Sequence, residues 1–272
     1  MTPIVPAPRQ NSNPIVLVTG GSRGIGEALA MQFSQSGHDV AILARSASEI
    51  KASAAKIKTQ TGREIVCIAG DVSDPEALGK IDAELAARGC YLDILVNNAG
   101  VGLGGPFVSH SLAEVDALIS INVAAASRLM LHALPAMMAR GRGGILNIAS
   151  LGGYAPGPYQ AAYYASKSYI ISLTEAVAAE ASGSGVRVAV VVPGPVNTTF
   201  HASMGADTAF YRYVIPAMSP ARVAGAAYLG FMGGQRVIVP GLSNQFLLFF
   251  LKILPHPLSV AIVGWLLKPR DR

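Results

Sequence analysis

The sequence predicts an α/β chain in a single domain: a doubly wound parallel sheet of about seven strands with helices on both faces. Three observations carry this. Short apolar runs of Val, Ile, Leu and Ala recur, and they are continuous rather than alternating, as suits strands covered on both faces. Longer helical stretches separate them, so β-then-α order repeats and right-handed crossovers follow. Of 272 residues, 51% are hydrophobic and only 14% charged, against about 25% charged in an average chain, enough for one deep core.

Taken in order, residues 1–13 are rich in Pro, Asn and Ser and read as a flexible arm. They lack a basic stretch followed by an apolar one, so they do not read as a signal peptide, and the expected location is the cytoplasm. Strands are expected over 15–19, 40–44, 64–69, 92–97, 144–149, 186–192 and 236–239. Helices are expected over 26–37, 48–62, 74–88, 112–140 and 161–182. The main domain spans 14–241, and 242–272 is an apolar helical extension past the last strand. Net charge is +5 with Lys and Arg scattered, which suits an anionic cofactor or surface and excludes a tract that follows nucleic acid. Two cysteines make no disulfide framework, and Cys67, in an apolar run, reads as a core residue. The five histidines show no metal-ligand spacing, so no zinc site is expected.

The first strand runs into Thr19-Gly20-Gly21-Ser22-Arg23-Gly24-Ile25-Gly26, and a helix follows. A glycine-rich strand-to-helix turn lets backbone approach a pyrophosphate, and the helix start offers free N–H groups and a positive dipole end. The end of the second strand discriminates between dinucleotides: an acid there binds a ribose hydroxyl, a base a 2′-phosphate. This strand ends Ala44-Arg45, Asp39 lies at its other end, and Arg23 adds a second cation, so NADP(H) is expected. Tyr163 and Lys167 are four apart on one helix face. A free tyrosine titrates near ~10, and a neighbouring ammonium is expected to lower that value and fit the phenol for proton transfer. Ser150, at the end of the fifth strand, places a hydroxyl on the same edge.

Together these residues resemble the short-chain dehydrogenases/reductases over about residues 14–241. The resemblance rests on Thr19-Gly20-x-x-x-Gly24-Ile25-Gly26, Asp71-Val72, Asn97-Asn98-Ala99-Gly100, Asn122, Ser150, Tyr163-x-x-x-Lys167 and Pro193-Gly194. Ser150 precedes Tyr163 by 13 residues, the spacing this family uses. The resemblance implies a Rossmann-type fold and an NADP(H)-dependent oxidoreductase. It makes Tyr163 the acid/base, Lys167 the ribose-binding lysine, Ser150 the group that orients the substrate oxygen, and Asn122 the holder of a water in a proton relay. Gly20, Ser22, Arg23, Gly24, Ile25, Gly26 and Arg45 would hold the phosphates, Asp71 and Val72 the adenine. Asn98, Ala99 and Gly100 would lie by the ribose, and Pro193, Gly194 and Thr198 would border the nicotinamide. It also implies a homo-oligomer, dimer or tetramer, built through the helices of Asn122 and Tyr163.

The segment at about 195–218 would form a substrate lid, and its Phe200, Met204, Phe210, Tyr211 and Tyr213 suit an apolar carbonyl substrate or folded-loop packing. His201 lies in the same loop, where it could touch substrate or stand exposed. Reduction of an apolar ketone or aldehyde leads, with a 3-oxoacyl thioester reductase and a non-catalytic NADP-binding regulator as alternatives. In the extension, neither apolar piece reaches the ~18–20 residues needed to span a bilayer. Its apolar faces require a cover: the protein's own core, a second subunit, or a membrane surface attracted by Lys268, Arg270 and Arg272.

Overall fold

The computed structural model describes residues 12–205, 209–211 and 215–268. The strands are β1 (Asn13–Thr19), β2 (Asp39–Ala44), β3 (Ile65–Ala69), β4 (Cys90–Asn97), β5 (Gly143–Ile148), β6 (Val186–Val191) and β7 (Val237–Ile238). They form one seven-stranded sheet in the order β3-β2-β1-β4-β5-β6-β7, and every pairing is parallel. The order reverses between β1 and β4, and that crevice is where such sheets bind ligands.

Helices α1 (Gly24–Gln35), α2 (Ala47–Thr61) and α8 (Pro220–Met232) cover one face. Leu29, Phe33, Ile50, Ile57, Ala227 and Phe231 interlock there with Val16, Ile42 and Val96. On the other face lie α3 (Ala77–Ala87), α5 (Ala126–Arg140) and α6 (Ala161–Glu180). Ile81, Leu85, Leu129, Met137 and Ala178 pack there against Leu17, Leu95 and Ile145. Continuous burial along β5, every residue of which is inaccessible, follows from this double cover.

Three expectations change. Cys67 is exposed rather than in the core, because β3 is the outer strand of the sheet and its burial is interrupted. The arm expected over 1–13 gives up Asn13 to β1, and residues 1–11 lie outside the described residues. The helix expected over 112–140 is not regular: α4 (Leu112–Ile119) and α5 are joined by a π-turn, Ser120–Ala125. Such bulges concentrate at functional sites, and this one carries Asn122.

After β6, the short α7 (Phe200–Ser203) lies in the expected lid segment. The side chain of His201, and Tyr213, fall outside the described residues. The extension forms two helices, α9 (Leu242–Ile253) and α10 (His256–Leu267). Pro255 and Pro257 at the junction remove N–H donors that a continuous helix would need.

Candidate active site

The carboxyl ends of β1, β4, β5 and β6 open into one cleft of about 700 Å³. Clefts of roughly 300–1,000 Å³ are those that hold cofactors and small ligands. The residues expected to be catalytic or to bind the cofactor all line it except Gly26 and Asn122, each of which braces the lining from behind.

At the β1 end, Gly20 has φ +64° and passes close to Ala99, where a Cβ would lie 2.9 Å from that residue's Cα. A Cβ on Gly26 would lie 2.3 Å from the Gly20 carbonyl oxygen and 2.4 Å from Asn98 Nδ2. No side chain caps the start of α1, so its first N–H groups remain for a ligand in the cleft. Arg23, Arg45 and Asp71 line this end. Burial pushes the Asp71 carboxyl up, but hydrogen bonds from Ser73 N (2.8 Å) and Ser73 Oγ (2.6 Å) and the Arg45 charge outweigh it and hold its pKa below the usual value. Asp39 is at the far end of β2, paired with Arg63 at 2.6 Å.

Sequence reasoning missed the network that shapes the turn. Buried Thr19 accepts hydrogen bonds at Oγ1 from Asn98 N (3.0 Å) and Ala99 N (3.1 Å) and donates to Val96 O (3.3 Å). Asn98 Nδ2 donates to Thr19 O (3.0 Å) and Gly20 O (3.2 Å). Asn98 lines the cleft, and its side-chain nitrogen holds the glycine turn. Glu49 was also missed: it lines the cleft and accepts from Ser22 Oγ at 3.2 Å. Only an acid at N3 of α2 marked it in the sequence, and that pattern serves helix capping equally well.

At the other end, β5 leads into Ser150, whose Oγ accepts from Gly152 N at 3.1 Å. Tyr163 is buried, with its ring against Phe200 (5.6 Å between centroids) and Tyr164 (6.1 Å). Lys167, also buried, donates from Nζ to Ile148 O (2.9 Å), and Nζ lies 5.8 Å from the centre of the Tyr163 ring. In the cleft without cofactor, the tyrosine pKa is raised rather than lowered. Burial raises Tyr163 to about 12, against the opposing Ser150 hydrogen bond, and burial lowers Lys167 to about 8. Desolvation disfavours both charges, and it outweighs the Ser150 hydrogen bond that favours the phenolate.

Behind them, Asn122 Oδ1 accepts from Val101 N (2.9 Å), while Nδ2 donates to Val101 O (2.8 Å) and Ser166 Oγ (3.0 Å). Both amide hydrogens are thus used, and the side chain clamps the loop after β4 to α6. Over the site, Met204 is buried with Leu118 and Tyr163. Thr198 lies beside Gly24, with its Oγ1 accepting from Phe200 N at 3.3 Å. The far wall was not foreseen: Leu247 and Leu251 of α9 and Val263, Leu266 and Leu267 of α10 line the cleft.

A family model described as short chain dehydrogenase matches residues 14–209. The chain is 36% identical over 184 residues to a ketoacyl reductase, HetN, of Nostoc sp., which is 68% of this chain and 64% of that relative, under two thirds of its length. Among solved structures, a short-chain dehydrogenase from Sphingobium yanoikuyae in complex with NADPH superposes with a TM-score of 0.78 at 31% identity, covering 88% of this chain and 92% of that one. A bulky-bulky ketone specific alcohol dehydrogenase from Comamonas testosteroni gives 0.72 at 26% identity, covering 89% and 95%. By motif, sheet order and site geometry together, this chain belongs to the short-chain dehydrogenase family.

Proposed function

We propose that the protein is an NADP(H)-dependent oxidoreductase that interconverts an apolar ketone or aldehyde and its alcohol, with Tyr163 as acid/base. The observation that carries this reading is the meeting of Ser150, Tyr163 and Lys167 in one cleft whose other end is the glycine turn flanked by Arg23 and Arg45. The residues present fit the cofactor. Glycines stand where a Cβ would collide with the turn, uncapped N–H groups face the phosphate position, and two guanidinium groups flank it. Glu49 in the same corner works against a 2′-phosphate, so the arginines must outweigh it. The NADPH bound to the Sphingobium yanoikuyae relative supports the same choice.

When bound, the nicotinamide supplies or takes the hydride at the substrate carbon. The chain's own residues handle the oxygen. Ser150 Oγ holds it, and Tyr163 Oη donates its proton to it as the carbonyl becomes an alcohol; the reverse step returns that proton to a phenolate. Lys167 Nζ, next to the ring, steadies the phenolate and passes a replacement proton. Both amide hydrogens of Asn122 are committed to Val101 and Ser166, so its side-chain nitrogen would not be what holds a water in that relay. Met204, Phe200 and the leucines of α9 and α10 keep the substrate end apolar.

A 3-oxoacyl thioester is the second substrate class, favoured by the name of the Nostoc relative. A purely regulatory binder would have no use for the Ser150, Tyr163 and Lys167 arrangement. NADPH consumption against a panel of apolar ketones, aldehydes and a 3-oxoacyl thioester tests the reading. Tyr163→Phe should keep cofactor affinity and lose about 10²–10⁴-fold in kcat, the usual contribution of a general acid. A loss below about tenfold would remove Tyr163 from the role.

A further inference from the structure

The extension has two apolar faces, and the cleft accounts for only one. Inward, Leu248, Val263 and Leu267 are buried, and neighbouring side chains wall the cleft. Outward, α9 presents Leu242, Phe246, Phe249, Phe250 and Ile253, whose spacing follows one helical stripe. On α10, Leu258, Ile262 and Trp265 do the same. These eight side chains are 43–73% exposed. Isolated exposed apolar residues require no explanation, but stripes of this size mark contact surfaces.

We infer that the outward faces of α9 and α10 dock on the surface of a bilayer containing anionic lipid. Three features select that occupant. Residues 242–268 contain no Asp or Glu, and their two charges, Lys252 and Lys268, are both exposed. The stripes are Phe, Leu, Ile and Trp, the composition of helices that lie in the headgroup boundary. Each helix has 12 residues, or ~18 Å at 1.5 Å per residue, so it can lie on a bilayer of ~30 Å hydrocarbon but not cross it. A second copy of the chain fits less well. A two-fold contact through this face would pair two lysine-bearing helices with no carboxylate on either to answer the charge, Lys252 being partnered only by the Tyr154 ring of its own chain among the described residues.

For its substrate consequence the inference rests on the reading above. The same two helices wall the cleft on one side and would touch lipid on the other, so a docked protein would draw a bilayer-dissolved apolar carbonyl into the Tyr163 site.

Trp265 is the chain's sole tryptophan and lies in the outward stripe, 57% exposed with one ring edge against Phe210 (4.6 Å between centroids), so intrinsic fluorescence reports on this surface. The full chain is mixed with phosphatidylcholine vesicles, with or without phosphatidylserine, and followed by flotation and Trp265 emission. The expected result is flotation with the anionic vesicles, a shift of emission to shorter wavelength, and release by salt. Phe246→Ser with Phe250→Ser should cut partitioning at least about tenfold while far-ultraviolet circular dichroism and the thermal midpoint are kept. Lys252→Glu with Lys268→Glu, which leaves the apolar stripe intact, should weaken binding to anionic vesicles about fivefold or more per charge and leave binding to neutral ones unchanged. No flotation and no emission shift with either vesicle would overturn the proposal, as would equal flotation of the serine variant. A wild-type dimer that falls to monomer in the serine variant, without vesicle binding, would assign the face to a second copy instead. None of these readouts requires turnover, so failure here is distinct from failure of the carbonyl reductase reading.

Discussion

Gly26→Ala isolates what the glycine turn does. The added methyl would lie 2.3 Å from the Gly20 carbonyl oxygen, 2.9 Å from its carbonyl carbon and 2.4 Å from Asn98 Nδ2. Two of these atoms are backbone, held by Gly20 N donating to Leu43 O at 2.8 Å, so they cannot swing away as a flexible side chain would. The side chain that can move is Asn98, and moving it breaks the bonds to Thr19 O and Gly20 O at 3.0 and 3.2 Å. Forcing a methyl into a packed site costs ~1–3 kcal/mol. Each lost hydrogen bond adds about 0.5–1.5 kcal/mol. The total is ~2–6 kcal/mol, a large share of a typical folding stability of about 5–15 kcal/mol. Urea denaturation should show a lower midpoint with an unchanged slope, since the surface exposed on unfolding is the same. In the folded fraction, affinity for NADPH should fall with the turn's displacement, whereas Gly37→Ala, where a Cβ meets nothing within 4 Å, should leave that affinity unchanged. Wild-type stability and NADPH affinity in Gly26→Ala would refute the close-approach argument.

The other predictions follow the same cleft. Arg45→Asp should shrink or reverse a preference for NADPH over NADH, since a charge-assisted contact is worth ~1.5–3 kcal/mol, about tenfold to a hundredfold; equal affinity of the unaltered protein for both cofactors would sink the assignment. Tyr163 is raised to about 12 by burial, so its proton is held where a free tyrosine has lost half of its own, near pH ~10. Tyrosinate absorbance at that pH, wild type minus Tyr163→Phe, should show almost no signal from this residue in the cofactor-free protein, and a half-ionised signal would contradict it. Gly100→Ala would set a methyl 3.3 Å from Asn122 Oδ1 and 3.6 Å from Lys167 Nζ. It should lower kcat more than it raises KM, and kinetics identical to wild type would show that no proton passes there.

What could be read in advance was local. Strand and helix positions follow from periodicity within a dozen residues, and the 163/167 pair meets because a helix brings residues four apart together. The features that escaped depend on partners far along the chain. Thr19 acts through Asn98 and Ala99, 79 and 80 residues away, and nothing near it distinguishes it from any threonine that ends a strand. The π-turn at Asn122 differs from a plain α-helix by one residue of register, and the apolar run through 112–140 hides it. Cys67 was misplaced because an apolar run does not reveal whether its strand is central or outermost. The inner faces of α9 and α10 were unreadable for a related reason. A helix apolar on both sides carries no sign of which side faces the cleft.

The misjudged tyrosine pKa follows from the same distinction between local and collective effects. Adjacency of Tyr163 and Lys167 is a pairwise fact, and it argued for a phenolate. Burial is a sum over Leu118, Met204, Phe200 and the sheet edge, and it raises the tyrosine and lowers the lysine. With the tyrosine at about 12 and the lysine at about 8, the cleft by itself favours a neutral phenol beside a lysine that stays mostly charged near neutral pH but loses its proton more easily than a free one. A neutral phenol is the form that can donate a proton to a carbonyl oxygen, although burial alone also makes it a weaker acid than a free tyrosine. Oxidation of an alcohol needs the phenolate, and only a further positive charge brought into the cleft, or a rise in pH, would supply the missing stabilisation. The apolar packing of the walls and the raised pKa of the tyrosine are therefore one property of the site, and polar substitutions in those walls should lower that pKa towards its free value.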